Sequence, residues 1–132
     1  MKPLYLQKGV VIEGKKRGRL MGFPTANLRL SKKIPEGIYA STVEIDERKY
    51  LAAVFIGTAK TFNEYELKLE AYILDFDEDI YNKLITVKLY NKLRVNKKFS
   101  SMNTLISQIK KDVKSVRDYF SKNEKELIVE RS

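Results

Sequence analysis

The chain has 132 residues, a formal net charge of +9, and neither cysteine nor histidine. Disulfides, Cys/His zinc sites, a cysteine nucleophile and a histidine general base are therefore excluded. Any catalytic base must be Asp, Glu, Lys or Tyr, and any metal must be held by oxygen, which favours Mg²⁺, Mn²⁺ or Ca²⁺. A hydrophobic content of 43% with 33% charged residues reads as a globular, soluble chain. Its length fits one domain, residues 1–132, that can bury a core without metal or disulfide staples. No apolar run reaches the length of a membrane span, and the first residues hold no signal-peptide pattern, so the expected compartment is the cytoplasm. The positive balance favours anionic partners, whether nucleic acid, a membrane surface or a phosphorylated ligand, and does not choose among them.

In chain order, Leu4 to Ile12 is rich in β-formers and ends at Gly14. The stretch from Gly14 to Asn27 interleaves Gly14, Gly18 and Gly22 with Lys15, Lys16, Arg17 and Arg19. Glycines let backbone N–H groups come close to a ligand, and the cations between them would meet an anion. Pro24 holds Phe23 extended. If the chain runs extended to Leu28, Thr25 and Asn27 point to one side, and their side-chain oxygens suit Mg²⁺ brought in on a nucleotide phosphate. Neither the Walker A spacing nor the dinucleotide glycine fingerprint occurs, so from spacing alone a basic surface hairpin is an equal reading.

Gly37 to Ile45 alternates, with Ile38, Ala40, Thr42 and Glu44 facing one way and Tyr39, Ser41, Val43 and Ile45 the other. An Asp46-Glu47-Arg48 turn leads into a strand from Tyr50 to Ile56, closed by Gly57. Leu67 to Phe76 places Leu67, Leu69, Ala71 and Ile73 on one face and Lys68, Glu70, Tyr72 and Leu74 on the other. Leu84 to Leu93 alternates in the same way. Five or six short strands separated by turn residues predict an antiparallel barrel or sandwich. The period then changes: Leu105, Ile109, Val113, Val116 and Phe120 recur at helical spacing, and Ser100 or Ser101 suits the N-cap. The expected helix runs from about 101 or 102 to about 121 and packs on the barrel, whose strands occupy about residues 4–99. A charged tail, 122–132, follows.

Two polar groups stand out besides the glycine stretch. Glu70 lies on the polar face of its strand, where a glutamate is usually solvated; the chemical alternative is a general base. Arg94, Lys97, Lys98 and Phe99 form a cationic loop with one aromatic, able to stack and pair with a planar heteroaromatic ligand. Asp75, Asp77, Glu78 and Asp79 lack the glycine and distal glutamate of a Ca²⁺ loop and read as a turn.

Taken together, these stretches resemble the riboflavin kinase (flavokinase) family from about Gly9 to about Phe120. The family block G-x-x-x-G-R-x-x-G-F-P-T-A-N is matched by Gly14, Gly18-Arg19 and Gly22-Phe23-Pro24-Thr25-Ala26-Asn27, after Gly9. Its G-I/V-Y is matched by Gly37-Ile38-Tyr39, and its I-G-x-x-P-T-F by Ile56-Gly57 through Thr61-Phe62. Its E-x-H/Y-I/L-x-D-F is matched by Glu70-Ala71-Tyr72-Ile73-Leu74-Asp75-Phe76. Asp79-Ile80-Tyr81 and the Leu93-Arg94 to Lys97-Lys98-Phe99 block follow in order. Four positions depart from the pattern. Phe55 stands for asparagine, Lys60 for proline, Asn82 for glycine and Asn96 for glutamate; the first two put the nearby loop in question, and Asn96 the closure of the flavin loop.

The resemblance implies a closed six-stranded antiparallel Greek-key barrel with a C-terminal helix. It implies transfer of the γ-phosphoryl group of Mg-ATP to the 5′-hydroxyl of riboflavin, giving FMN. On that reading Thr25 and Asn27 meet Mg²⁺, or another oxygen-held divalent ion, and the phosphates. Gly14, Arg19, Gly22, Pro24, Ile73 and Tyr81 lie by the nucleotide, Glu70 is the base, and Arg94, Lys97 and Phe99 cover the flavin. The partners are then riboflavin and ATP, with no nucleic acid and no membrane. The expected state is a monomer, either stand-alone or a module of an enzyme that also carries an FMN adenylyltransferase domain. The competing readings are a basic nucleic-acid-binding barrel, with Phe23 and the many tyrosines as stacking platforms, and an inactive flavin or nucleotide carrier.

Overall fold

Period-2 alternation sorts the side chains of six strands onto two faces, and the chain makes a hydrophobic layer on each. The structure, a computed structural model, describes residues 1–12, 24–61 and 64–131. The elements are β1 (Tyr5–Val10), β2 (Thr25–Arg29), β3 (Gly37–Ile45), β4 (Arg48–Thr61), β5 (Glu64–Ile73), β6 (Leu84–Arg94) and α1 (Met102–Arg131). All strand pairs are antiparallel, in the order β1-β6-β3-β4-β5-β2. Strands β3, β4 and β5 are consecutive neighbours and β6 returns to lie beside β3, which is Greek-key connectivity.

The expected closed barrel is corrected to a half-barrel. Among the described residues the outer strands β1 and β2 meet through one bridge, Ile12 to Asn27, with the Ile12 N–H donating to the Asn27 carbonyl at 2.8 Å. Among those residues no continuous ladder joins them. The strand β2 has five residues and β1 six, too few to run a full-length seam against the 14-residue β4.

The concave face holds the main core, including Leu28, Tyr39, Val54, Ile56, Leu69, Ile73, Val87 and Leu89, all buried. Each such aliphatic side chain contributes roughly 1.5–3 kcal/mol relative to exposure. Residues 30–35 cover one end of it: Ile34 is buried, the Tyr39 hydroxyl donates to the Pro35 carbonyl at 2.6 Å, and Ser31 donates to Gln7 Oε1. The convex face carries a second layer, Ala40, Ala53, Tyr72 and Leu74, under Ile109, Val113 and Val116 of α1. The predicted helical stripe is therefore packed on the sheet.

Local boundaries follow from local chemistry. Ser101 caps α1: its Oγ accepts the Thr104 N–H at 3.2 Å, and the Ser101 N–H donates back to Thr104 Oγ1 at 3.3 Å. This reciprocal pair is a capping box. The helix runs to Arg131 and not to about 121, because the Lys/Glu-rich tail contains no Gly or Pro to stop it. The β3–β4 turn is tight, with Asp46 and Glu47 both at positive φ (48° and 69°). Strand β4 continues past Gly57 to Thr61, longer than its expected end at Ile56, because Gly57 to Thr61 stay paired with Lys68 to Glu64 of β5; Phe55 lies over Gly57, where any Cβ would run into its ring. Strand β5 ends at Ile73, earlier than expected, where Asp75 takes a left-handed φ of 57°.

Candidate active site

In antiparallel sheets, directly opposed residues share a face. Asn27 of β2 opposes Glu70 of β5, Glu70 opposes Phe55 of β4, Phe55 opposes Ile38 of β3, and Ile38 opposes Arg94 of β6. One row of side chains thus crosses five strands on the convex face, with Glu70 next to its β2 end. Glu70 is there because its neighbours Leu69 and Ala71 are held in the core, which forces the intervening side chain outward.

Along this row, between the sheet and the first half of α1, is a cavity of about 120 Å³. Ile38, Phe55, Glu70, Tyr72, Arg94, Lys97, Phe99, Leu105, Ile109 and Asp112 line it. The predicted base and all three predicted flavin-loop residues, Arg94, Lys97 and Phe99, are therefore brought together. Asn96 fastens the same loop to the sheet, its Nδ2 donating to the Ile56 carbonyl at 3.1 Å. A glutamate at that position could not make this bond, having no N–H to donate.

Arg94 is already engaged. Its Nε and Nη2 donate to Asp112 Oδ1 and Oδ2, each at 2.7 Å, and Gln108 Nε2 donates to Asp112 Oδ1 at 3.0 Å. Asp112 is 4% exposed. A bidentate, largely desolvated pair of this kind is strong and geometrically specific. It clamps α1 to β6 and makes the wall opposite Glu70, so Arg94 contributes shape more than a free charge. Lys97 is exposed and Phe99 half-buried.

At the β2 end, Thr25 opposes Tyr72 as Asn27 opposes Glu70. Asn27 is 8% exposed, and Thr25 Oγ1 is buried with no hydrogen-bond partner. A buried hydroxyl oxygen without a partner is rare in a native fold and points to a group that completes it. Two neutral oxygen donors aligned on one strand beside a carboxylate fit a hard divalent cation. Among the described residues no cluster of three or more Asp or Glu offers a competing site. Pro24 is anchored by its carbonyl, which accepts the Ile73 N–H at 3.0 Å. Ile73 contributes that backbone group alone, since its side chain is fully buried in the concave core and does not reach the convex face. Tyr81 is 53% exposed, in the turn whose Asn82 N–H donates to the Val11 carbonyl, near Ile12 and its bridge to Asn27. Gly14, Arg19 and Gly22 lie outside the described residues, as does Phe23. The described residues on either side of them, Ile12 and Pro24, are tied to Asn27 and Ile73.

The sequence model of the riboflavin kinase (flavokinase) family matches residues 1–120. The chain belongs to that family. It is 44% identical over 130 residues to the trifunctional protein RibF/MnmA of Mycoplasmoides gallisepticum, covering 96% of this chain and 20% of that protein. It is 40% identical over 124 residues to the bifunctional riboflavin kinase/FMN adenylyltransferase of Listeria monocytogenes, covering 91% and 40%. The chain thus spans less than half the length of these two relatives. The crystal structure of riboflavin kinase from Trypanosoma brucei superposes with a TM-score of 0.66 at 26% identity, covering 94% of this chain and 83% of that one.

Within this riboflavin kinase fold, several lining residues escaped the sequence reading. Phe55 was visible as a departure from the family pattern, but not as a wall beside Glu70. Asp112 carried a signal: three residues after Ile109 and four before Val116, it sits on the apolar stripe of α1, where a carboxylate needs a partner. Leu105 and Ile109 were legible only as the packing stripe of the helix, Ile38 as one face of an alternating strand, and Tyr72 as a neighbour of Glu70 on its strand face.

Proposed function

We propose that the chain is the catalytic module of a riboflavin kinase, transferring the γ-phosphoryl group of ATP to the 5′-hydroxyl of riboflavin. The observation that carries this reading is the row Asn27–Glu70–Phe55–Ile38–Arg94. It links the donor pair Thr25/Asn27, suited to a metal–phosphate group, to a cavity with aromatic walls, and Glu70 stands between the two. Thr25 Oγ1 and Asn27 Oδ1 would hold Mg²⁺ or a similar hard cation, which when bound neutralises charge on the transferring phosphate. Phe55, Phe99, Ile38 and Leu105 give the flavin ring an apolar slot, and Lys97 adds a cation at its rim. Glu70 accepts the proton of the 5′-hydroxyl as its oxygen forms a bond to the γ-phosphorus; the bond to the β-phosphate oxygen breaks and ADP leaves.

On this reading Gly14, Arg19 and Gly22 approach the nucleotide phosphates from the segment between Ile12 and Pro24. The +9 charge serves phosphorylated small ligands and no nucleic acid. The module works as a monomer, alone or joined to an adenylyltransferase domain. Incubation with riboflavin, ATP and Mg²⁺ followed by chromatography tests the reading: FMN and ADP should form in equal amounts. Absence of FMN, with flavin still bound, would leave an inactive carrier instead.

A further inference from the structure

A second cavity, of about 490 Å³, lies on the same convex face under the second half of α1. It is separated from the Glu70 cavity by Val113 and Val116, which pack on the sheet between the two. Its floor is the opposed pair Thr42 and Leu51. Tyr90 and Phe120, edge to face with centroids 5.5 Å apart, form a wall. Lys49 and Arg117 stand at its rim.

Three features mark it as a binding site and not a packing gap. First, Thr42 is 2% exposed, and its Oγ1 lacks any hydrogen-bond partner. A buried hydroxyl on a cavity floor without a partner calls for a ligand or an ordered water. Second, its volume falls in the range of small-molecule pockets, about 300–1,000 Å³, and such pockets pair aromatic and aliphatic walls with a few placed polar groups. Third, the rim cations are available. Lys49 has no ion-pair partner among the described residues, and the Arg117–Asp75 pair is solvent-exposed, with side chains 45% and 73% accessible. An exposed pair of that kind is weak and exchanges readily for a better anion.

We propose that this cavity binds a planar heteroaromatic phosphate, its ring against Tyr90, Phe120 and Leu51, a ring polar atom on Thr42 Oγ1 and its phosphate between Lys49 and Arg117. The chemistry is shared by a flavin phosphate and an adenine nucleotide. It is a site separate from the Glu70 cavity and does not depend on the kinase reading.

The test is titration of the full chain with FMN and, in a second arm, AMP, followed by amide NMR shifts and calorimetric stoichiometry. At least one probe should move the Thr42, Leu51, Tyr90 and Phe120 amides in a saturable way. If FMN moves them, the site takes flavin phosphates; if AMP alone does, it takes adenine nucleotides. Lys49→Gln combined with Arg117→Gln, both at exposed positions, should weaken that binding about tenfold or more, as expected for lost charge-assisted bonds. The Glu70-side shifts and the initial rate of FMN formation should stay the same. The inference is overturned if neither probe moves those amides below about 1 mM, or if the double substitution leaves the affinity unchanged. Failure of the kinase reading would show separately, as absent FMN formation.

Discussion

The two faces of one sheet are built from alternate residues of the same strands, yet they do different work. On the concave face alternate residues are mostly apolar and buried, with Gln7 and Ser41 as buried polar exceptions, and the row Leu28–Leu69–Ile56 could be exchanged for other aliphatics of similar volume. On the convex face the layer is apolar only where α1 covers it; at both ends of that cover it opens into a cavity with polar walls. The lesson is positional. A strand residue next to two core residues is held rigidly, so the face a fold does not need for its interior is where a side chain can be aimed with precision.

Adjacent residues of β5 give the sharpest test of that contrast. Glu70→Gln keeps size and hydrogen bonding but cannot take a proton, so kcat for FMN formation should fall about 10²–10⁴-fold. Its urea midpoint should stay near that of the parent. Near-normal turnover would pass the role of base to the substrate phosphate, since Asp75 is paired with Arg117 beyond the end of β5 and does not line the Glu70 cavity. Leu69→Ala, one residue away on the other face, should instead lower stability by about 2–5 kcal/mol in urea unfolding, with kcat little changed in the folded fraction. If the two substitutions had the same profile, the faces would not be separate in function.

The Arg94–Asp112 clamp belongs to both worlds. Asp112→Ala leaves a guanidinium that is only 17% exposed without its carboxylate. It should destabilise the protein by about 3 kcal/mol, the low end for a broken buried pair because Arg94 keeps some water. It should also raise KM for riboflavin by loosening the wall opposite Glu70. A stable variant with unchanged KM would make the pair a surface ornament. Thr25→Val is a smaller change: it preserves shape and removes one oxygen. The apparent affinity for Mg-ATP should drop roughly tenfold, with the melting temperature retained or raised, since a buried unpartnered hydroxyl disappears. Unchanged Mg-ATP kinetics would remove Thr25 from the site.

The smallest effect concerns Asp75 and Arg117, at the edge of the second cavity. The hydrogen bond from Arg117 holds the Asp75 carboxyl below its usual range. A carboxyl whose folded pKa is depressed adds stability that is complete above its unfolded value, about pH 4, and is lost as pH falls through the folded value. Both groups are exposed, so the contribution is slight. Melting temperatures recorded from neutral pH down to about pH 2 should show a slightly shallower acid decline for Asp75→Asn than for the parent. An unchanged acid limb would mean that the pair adds nothing in solution.

Much of this protein is readable from one dimension because its signals are local. Period-2 alternation marked three of the strands, β3, β5 and β6, the change to helical spacing after Phe99 marked α1, and the serine pair Ser100-Ser101 marked its start. The absence of His and Cys narrowed the base to Asp, Glu, Lys or Tyr and the metal donors to oxygen, and the family resemblance singled out Glu70. Boundaries were less legible. The extension of β4 beyond Gly57 depends on its continued pairing with β5, and the run of α1 to Arg131 on the lack of a stop.

What alternation could not decide is which strands become neighbours. That β2 lies beside β5, and β6 beside β3, is a matter of non-local pairing, and only this pairing puts Asn27, Glu70, Phe55, Ile38 and Arg94 in one row. Closure was misjudged for the same reason: whether outer strands meet along a seam or at one bridge depends on the curl of the sheet and on strand lengths after folding. The partner of Arg94 and the unpartnered hydroxyls of Thr25 and Thr42 are likewise properties of packed surfaces. Local sequence dictated which residues face outward on each strand; the tertiary structure decided which of them meet, because contacts between residues far apart in the chain arise only when two sheet rows and one helix face are brought within a few ångströms.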